Sequence, residues 1–187
     1  MKTPIMPEEE LVARIKERAE DPKRRAGIVQ KFPDLLARPG QPLPPAASRK
    51  AVKDAETLMG FPLPAFLKRL WTEVGNGGFG PGYGLFEVDV APASDLNMSI
   101  PTVYLQSIAD ESYSWPRKLV LICEWGCAYY SAIDCSTSDG EIVNLLGESE
   151  LKRTGSSFAQ WMQDWVDDVD LWQRDFSNGP TPAETQM

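Results

Sequence analysis

The chain has 187 residues, 42% of them hydrophobic and 25% charged, with a net charge of −8 and a pI near 4.7. That balance suits one ordinary globular core and argues against a nucleic-acid footprint or an anionic membrane surface, both of which call for excess Lys and Arg. Histidine is absent, which excludes Ser-His-Asp and Cys-His catalysis and His-bearing zinc sites by composition.

The opening, MKTPIMPEEE, lacks the apolar stretch of a secretory signal, and no run reaches membrane-spanning length. A cytoplasmic protein is expected. Pro7 and Glu8 to Glu10 predict a helix start, with acid in the first turn. Leu11, Val12, Ile15 and Ala19 supply its apolar stripe, and Asp21-Pro22 its end. A second helical piece is expected from Lys23, carrying Ile28, Val29 and Phe32. Residues 38–47, RPGQPLPPAA, read as a proline-rich connector. Ser48 is placed to cap a helix over 49–59, whose Val52, Ala55, Leu58 and Met59 face one way.

Residues 60–84 organise the rest. Pro64 fits the first helical position. Phe66, Leu67, Leu70, Trp71 and Val74 form one stripe, opposite Lys68, Arg69, Thr72 and Glu73. Gly75 stands where a left-handed cap belongs. Then Gly75, Gly77, Gly78, Gly80, Gly82 and Gly84 alternate with Phe79, Pro81 and Tyr83. A phosphate-binding loop would carry Gly-Lys-Ser/Thr and open a helix. This loop follows a helix, has no Lys and leads into a predicted strand at 85–90. A tightly folded structural loop is expected, with several glycines at positive φ and Phe79 and Tyr83 turned inward.

Residues 95–98 are ambiguous, and a short helix is expected over 102–109. The apolar run 119–124 predicts a central strand, Trp125-Gly126 a turn or bulge, and 127–135 a second strand. Asp139-Gly140 signals a hairpin returning through 141–146. The last helix opens on a capping box, Ser157 with Gln160. Phe158, Trp161, Trp165, Val169 and Trp172 recur along it at helical spacing. Its outer face carries Asp164, Asp167, Asp168 and Asp170. A loose tail is expected over 177–187.

The chemistry-bearing groups are few. Cys123, Cys127 and Cys135 lack a fourth ligand and fit no zinc spacing, so they read as small core residues that bind no metal. On a single strand, Cys127 and Cys135 would share a face. Glu87 with Asp89, and Glu124 with Asp134 across the hairpin, are candidate acid–base pairs, or else solvated strand residues. The tryptophan stripe reads as core or as a partner-binding face. The acidic run beside it is the better surface candidate for a basic protein partner, although acidity also serves solubility.

GFPLPAFLKRLWTEVGNGGFGPGYG at 60–84 and WPRKLVLICEWGCAYYSAIDCS at 115–136 together resemble the SUKH superfamily. Those proteins include fungal regulators of cell-wall assembly and bacterial immunity proteins of polymorphic toxin systems. The resemblance implies an α+β fold, here a largely antiparallel central meander with helices mainly on one face. It also implies protein binding without chemistry or cofactor, and it carries over no catalytic residue. The shared structural motif is Gly75, Gly77, Gly78, Phe79, Gly80, Pro81, Gly82, Tyr83, Trp125 and Gly126. Residues 1–45 have no counterpart and read as a helical arm with its connector. The domain itself is expected over 46–176. An immunity protein that neutralises a toxin is the first functional expectation, with a regulatory scaffold and a carboxylate-based hydrolase as alternatives.

Overall fold

The computed structural model describes residues 4–26, 42–89, 98–147 and 150–176. Helix α1 (Glu8–Glu20) starts with three acids in its first turn and buries Leu11, Val12, Ile15 and Ala19 in the common core. Asp21 ends it. Residues 22–24 form a turn and Ala26 bridges to Gly80. The helix expected from Lys23 is corrected at its start, because residues 23–26 are turn, bend and bridge; Ile28, Val29 and Phe32 fall outside the described residues.

Helix α2 (Arg49–Met59) begins at Ser48, whose hydroxyl accepts from the Ala51 N–H at 3.1 Å, and ends at Gly60 with φ 85°. Val52, Ala55 and Met59 are buried, whereas Leu58 is 45% exposed. The expected inward Leu58 is therefore corrected: six residues from Val52, it projects off the stripe. Helix α3 (Ala65–Glu73) starts one residue later than expected. Pro64, at φ −54° and ψ 137°, is extended and flanks the helix, its carbonyl accepting from Lys68 N–H. The predicted stripe from Phe66 to Val74 is buried as expected. Helix α4 (Ile100–Ala109) begins two residues earlier than expected, with Pro101 in its first turn.

The sheet is a four-stranded antiparallel meander, β1 (Leu119–Gly126), β2 (Tyr129–Asp134), β3 (Glu141–Leu146) and β4 (Glu150–Ser157), in that spatial order. The expected central place of β1 is therefore corrected: it is an edge strand, and its apolar run is buried because the segment around Leu85 covers its outer side. With the helices it makes the expected α+β fold. Two irregularities break the β1–β2 register, between Leu121 and Cys123 and between Glu124 and Gly126. The second is the bulge expected at Trp125-Gly126. Tyr129, not Cys127, opens β2, because Gly126 pairs with Tyr129 and leaves Cys127-Ala128 as a two-residue loop. Both loop residues have positive φ, 51° and 62°. The hand of strand twist demands that conformation, which Asn-Gly adopts with little strain. Cys127→Asn combined with Ala128→Gly is therefore expected to stabilise the fold by about 1–2 kcal/mol, read as a higher urea midpoint at unchanged slope.

Residues 85–89, the described part of the expected strand at 85–90, form isolated bridges rather than a strand. Leu85 bridges β1 at Cys123 and Glu87 bridges Ser99, so the segment divides its bonds between two partners. Strand β4 was not predicted. Seven of its eight residues are exposed or polar, at the sheet edge, which hides the alternation.

Ser157 ends β4 and caps helix α5 (Phe158–Val166), accepting from Gln160 N–H at 3.2 Å. The single long final helix is corrected to two. Asp168 turns left-handed at φ 60°, and α6 (Leu171–Phe176) follows the break. Val169, at the break, is 43% exposed rather than part of a buried stripe. Phe66 of α3 meets Phe158 of α5 at 5.8 Å between ring centroids, which places these helices together over the core. Among the described residues, no helix is long and apolar enough to cross a membrane.

Candidate functional site

The glycine loop is locked by its own backbone. Gly78 N–H donates to Leu85 O at 2.9 Å, Leu85 N–H to Phe79 O at 2.7 Å and Gly84 N–H to Pro81 O at 2.9 Å. Two further bonds fasten it to β1: Tyr83 N–H to Glu124 O at 2.9 Å, and Phe86 N–H to Ile122 O at 2.8 Å. Trp71 ties α3 to the same segment, its indole N–H donating to Phe86 O at 3.0 Å. Asn76 accepts from Val88 N–H at 2.9 Å and donates to Asp89 at 2.7 Å.

Gly77, Gly78, Gly80, Gly82 and Gly84 all have positive φ, and Phe79 is fully buried. The expected positive φ holds for these glycines, and the inward turn holds for Phe79. Tyr83 is half-buried rather than turned fully inward. Gly75 is corrected: its φ is not positive, and Val74 caps α3. The glycine serves close approach instead, since a Cβ there would lie 2.9 Å from Pro44 O and 3.0 Å from the Leu43 side chain.

The loop thus rests on the far end of the β1–β2 hairpin, whose inner side is aromatic. Trp125 and Tyr129 pack on Trp172 and Phe176 of α6, with centroid distances of 5.3–6.0 Å. Trp125 Nε1–H donates to Ser131 Oγ at 2.9 Å, and Ser131 in turn donates to Asn144 Oδ1 at 2.8 Å. Indole only donates, so the hydroxyl proton must pass on to Asn144. Trp125 and Gly126 therefore carry structure: one anchors a buried polar chain, and the other gives room to the Tyr83 hydroxyl, 2.9 Å from where its Cβ would be.

On the other side of the hairpin end sit Tyr83, Glu124 and Tyr130, all half-buried, with Cys127 exposed beyond them. Glu124 and Tyr130 are cross-strand partners, so their side chains are neighbours. Burial raises the Glu124 pKa. Burial, then the Glu124 charge, raise those of Tyr83 and Tyr130, with Cys127 adding to the effect on Tyr83. Among the described residues, Glu124 makes no ion pair. Sequence reading noted Glu124 only as half of a catalytic pair. A lone charge inside LVLICEWG was the available signal.

The structure separates the Glu124–Asp134 pair. Asp134 stands opposite Leu119 and Glu124 opposite Tyr130, at the two ends of the ladder. Burial raises the Asp134 pKa, but bonds from Ser136 and Arg153 outweigh it and hold this carboxyl below its ordinary value. Glu87 is 2% exposed and so is not the solvated residue expected, while Asp89 accepts from Asn76.

Cys123 and Cys135 are buried, and burial raises both thiols, Cys135 to about 12. Cys127, expected on a strand face with Cys135, is exposed on the hairpin loop because its positive φ belongs to the turn. The reading of all three as core is corrected for this residue.

The acidic run lies where α5 breaks. Asp164 pairs with Arg174 at 2.5 Å, Asp167 with Arg14 at 2.8 Å, and Asp168 with Arg18 at 2.7 Å and Arg24 at 3.4 Å. Arg18 is 4% exposed and stacks over Trp165 at 4.6 Å. Asp170 Oδ1 accepts from Gln173 N–H at 2.9 Å and starts α6. These carboxylates hold α1 and α6 against α5.

Comparison with curated proteins found no match. A family model described as SMI1 / KNR4 family (SUKH-1) matches residues 46–164. That span runs from the start of α2 into α5 and contains the glycine loop, the hairpin and the whole sheet. The loop-on-hairpin unit and the meander beneath it are accordingly those of a known family: the chain belongs to the SMI1 / KNR4 family (SUKH-1).

Proposed function

We propose that this protein is a non-enzymatic protein-binding domain, an immunity protein that binds and neutralises a toxin by occluding it. The observation that carries the reading is family membership over residues 46–164, joined to a motif whose residues lock a loop onto a hairpin. The functional unit is taken as residues 46–176 with α1 docked on α5. It needs no cofactor, and the cytoplasm is its proposed place of action.

A net charge of −8 suits a basic toxin domain as partner, because charge complementarity speeds encounter and filters partners. Asp164, Asp167, Asp168 and Asp170 form the proposed approach surface. Asp164, Asp167 and Asp168 already have arginine partners in this chain, which offset their field, so the long-range attraction comes from the net charge of the whole chain. A regulatory scaffold like the cell-wall-assembly regulators is the second reading, favoured by the same family membership.

Co-expression separates the two. A toxin domain encoded beside the gene is expressed with and without this chain, and growth is measured. Immunity predicts survival only with the chain present. Unrelieved killing, or no toxin gene beside it, removes the immunity reading and leaves the scaffold.

A further inference from the structure

Many of the charged groups among the described residues pair with one another. The acidic run of α5–α6 is matched by Arg14, Arg18, Arg24 and Arg174. Arg69 gathers Glu8, Glu9 and Glu73, and Arg153 gathers Asp134 and Glu141. Glu124 is different. It is half-buried on the β1–β2 hairpin and has no cation beside it among the described residues. Carrying an unpaired, partly desolvated charge costs folding free energy, so the position weakens the fold unless something outside meets it.

The surroundings are rigid. Tyr83 is fixed to this spot because its N–H bonds the Glu124 carbonyl and its hydroxyl lies over Gly126. Tyr130 is fixed by its cross-strand pairing with Glu124. Two aromatic rings beside a carboxylate make a seat for an organic cation: the carboxylate accepts its N–H groups and the ring faces attract its charge. Tyrosine and arginine are also enriched where protein interfaces concentrate their energy.

We propose that Glu124, flanked by Tyr83 and Tyr130, receives one arginine or lysine side chain of the protein partner and is the anchor of the interface. This rests on the protein-binding reading and adds the chemistry of the contact and its place. The net charge of −8 attracts at a distance, and Glu124 makes the short-range bond.

The test needs no toxin. The full chain, isotopically labelled, is titrated with the blocked tripeptide acetyl-Gly-Arg-Gly-amide and, separately, with its citrulline analogue, which keeps the shape and loses the charge. The Glu124 carboxyl and the tyrosine ring signals are followed by NMR. Saturable shifts centred on Tyr83, Glu124 and Tyr130 are expected with arginine alone. The Glu124 titration midpoint should fall as peptide is added, because a neighbouring cation favours the carboxylate.

Glu124→Gln should weaken binding by about tenfold or more. It should also leave the fold at least as stable. The raised carboxyl pKa means that the native state carries a penalty above that pKa, which vanishes as the pH falls below the ordinary glutamate range. Tyr130→Leu provides a second variant that keeps the charge and removes one ring, with weaker binding expected. Shifts spread over exposed carboxylates, equal response to citrulline, or binding unchanged in Glu124→Gln would overturn the proposal. Such a result would leave protein binding itself standing, and failure to find a protein partner would leave these shifts as they are.

Discussion

Gly82→Ala is expected to cost about 3 kcal/mol of folding free energy, the sum of roughly 1–2 for a left-handed alanine and 1–3 for forced overpacking. The position has φ 55°, and a Cβ there would strike the Glu124 carbonyl oxygen and lie 2.7 Å from Cys123 Sγ. Neither neighbour can retreat. Glu124 O accepts from Tyr83 N–H, and Cys123 Sγ–H donates to Pro81 O at 3.1 Å within a fully buried setting. Gly60→Ala is the control. Its φ is 85° with nothing within 4 Å of the new Cβ, so the backbone term alone applies, about 1–2 kcal/mol. Urea midpoints of the two variants measure the difference. Equal losses would mean that the loop does not press on the hairpin.

Ser131→Ala is the second large effect. Ser131 is fully buried and links Trp125 Nε1–H to Asn144 Oδ1. Removing its hydroxyl strands a donor and an acceptor together, each at about 1–3 kcal/mol when buried without a partner. The Asn144 amide nitrogen already lacks a partner among the described residues, so this side chain would then have neither end satisfied. A loss on the order of 3 kcal/mol is expected, with a red-shifted or quenched Trp125 emission as the hairpin loosens. A loss below about 1 kcal/mol would mean that the polar chain is not a structural tie.

The parts of the fold that were legible in the sequence are those in which local chemistry and burial agree. β1 is an apolar run, α2 has a serine cap and a stripe, and the Asp139-Gly140 turn has its glycine at φ 61°. The meander followed from these. Three features were hidden for distinct physical reasons. β4 sits at an edge and keeps polar residues outward, so its pairing with β3 leaves no hydrophobic period. The α5–α6 break occurs inside an unbroken helical pattern, because α6 swings Trp172 and Phe176 onto Trp125 and Tyr129 while keeping their spacing. At Gly75 the capping signal was present, but the glycine serves Pro44 and Leu43 packing instead. The candidate site divides in the same way. The loop and the Trp125-Gly126 bulge were readable as a motif. The seat around Glu124 was not, because it depends on Tyr83 arriving from another segment, 41 positions away along the chain. Nor could the acidic run be seen to be paired, since Arg14, Arg18 and Arg24 come from the opposite end of the sequence.

The central claim is that the loop-on-hairpin unit presents the surface a protein partner binds. Amide hydrogen exchange of the full chain, alone and with the inactivated product of any toxin gene found beside its own, tests it most directly. Slower exchange is expected around Tyr83 and from Glu124 to Tyr130, with the buried strands unchanged because they are already protected. Protection confined to α2 and α4, or none at saturating partner, would contradict the account.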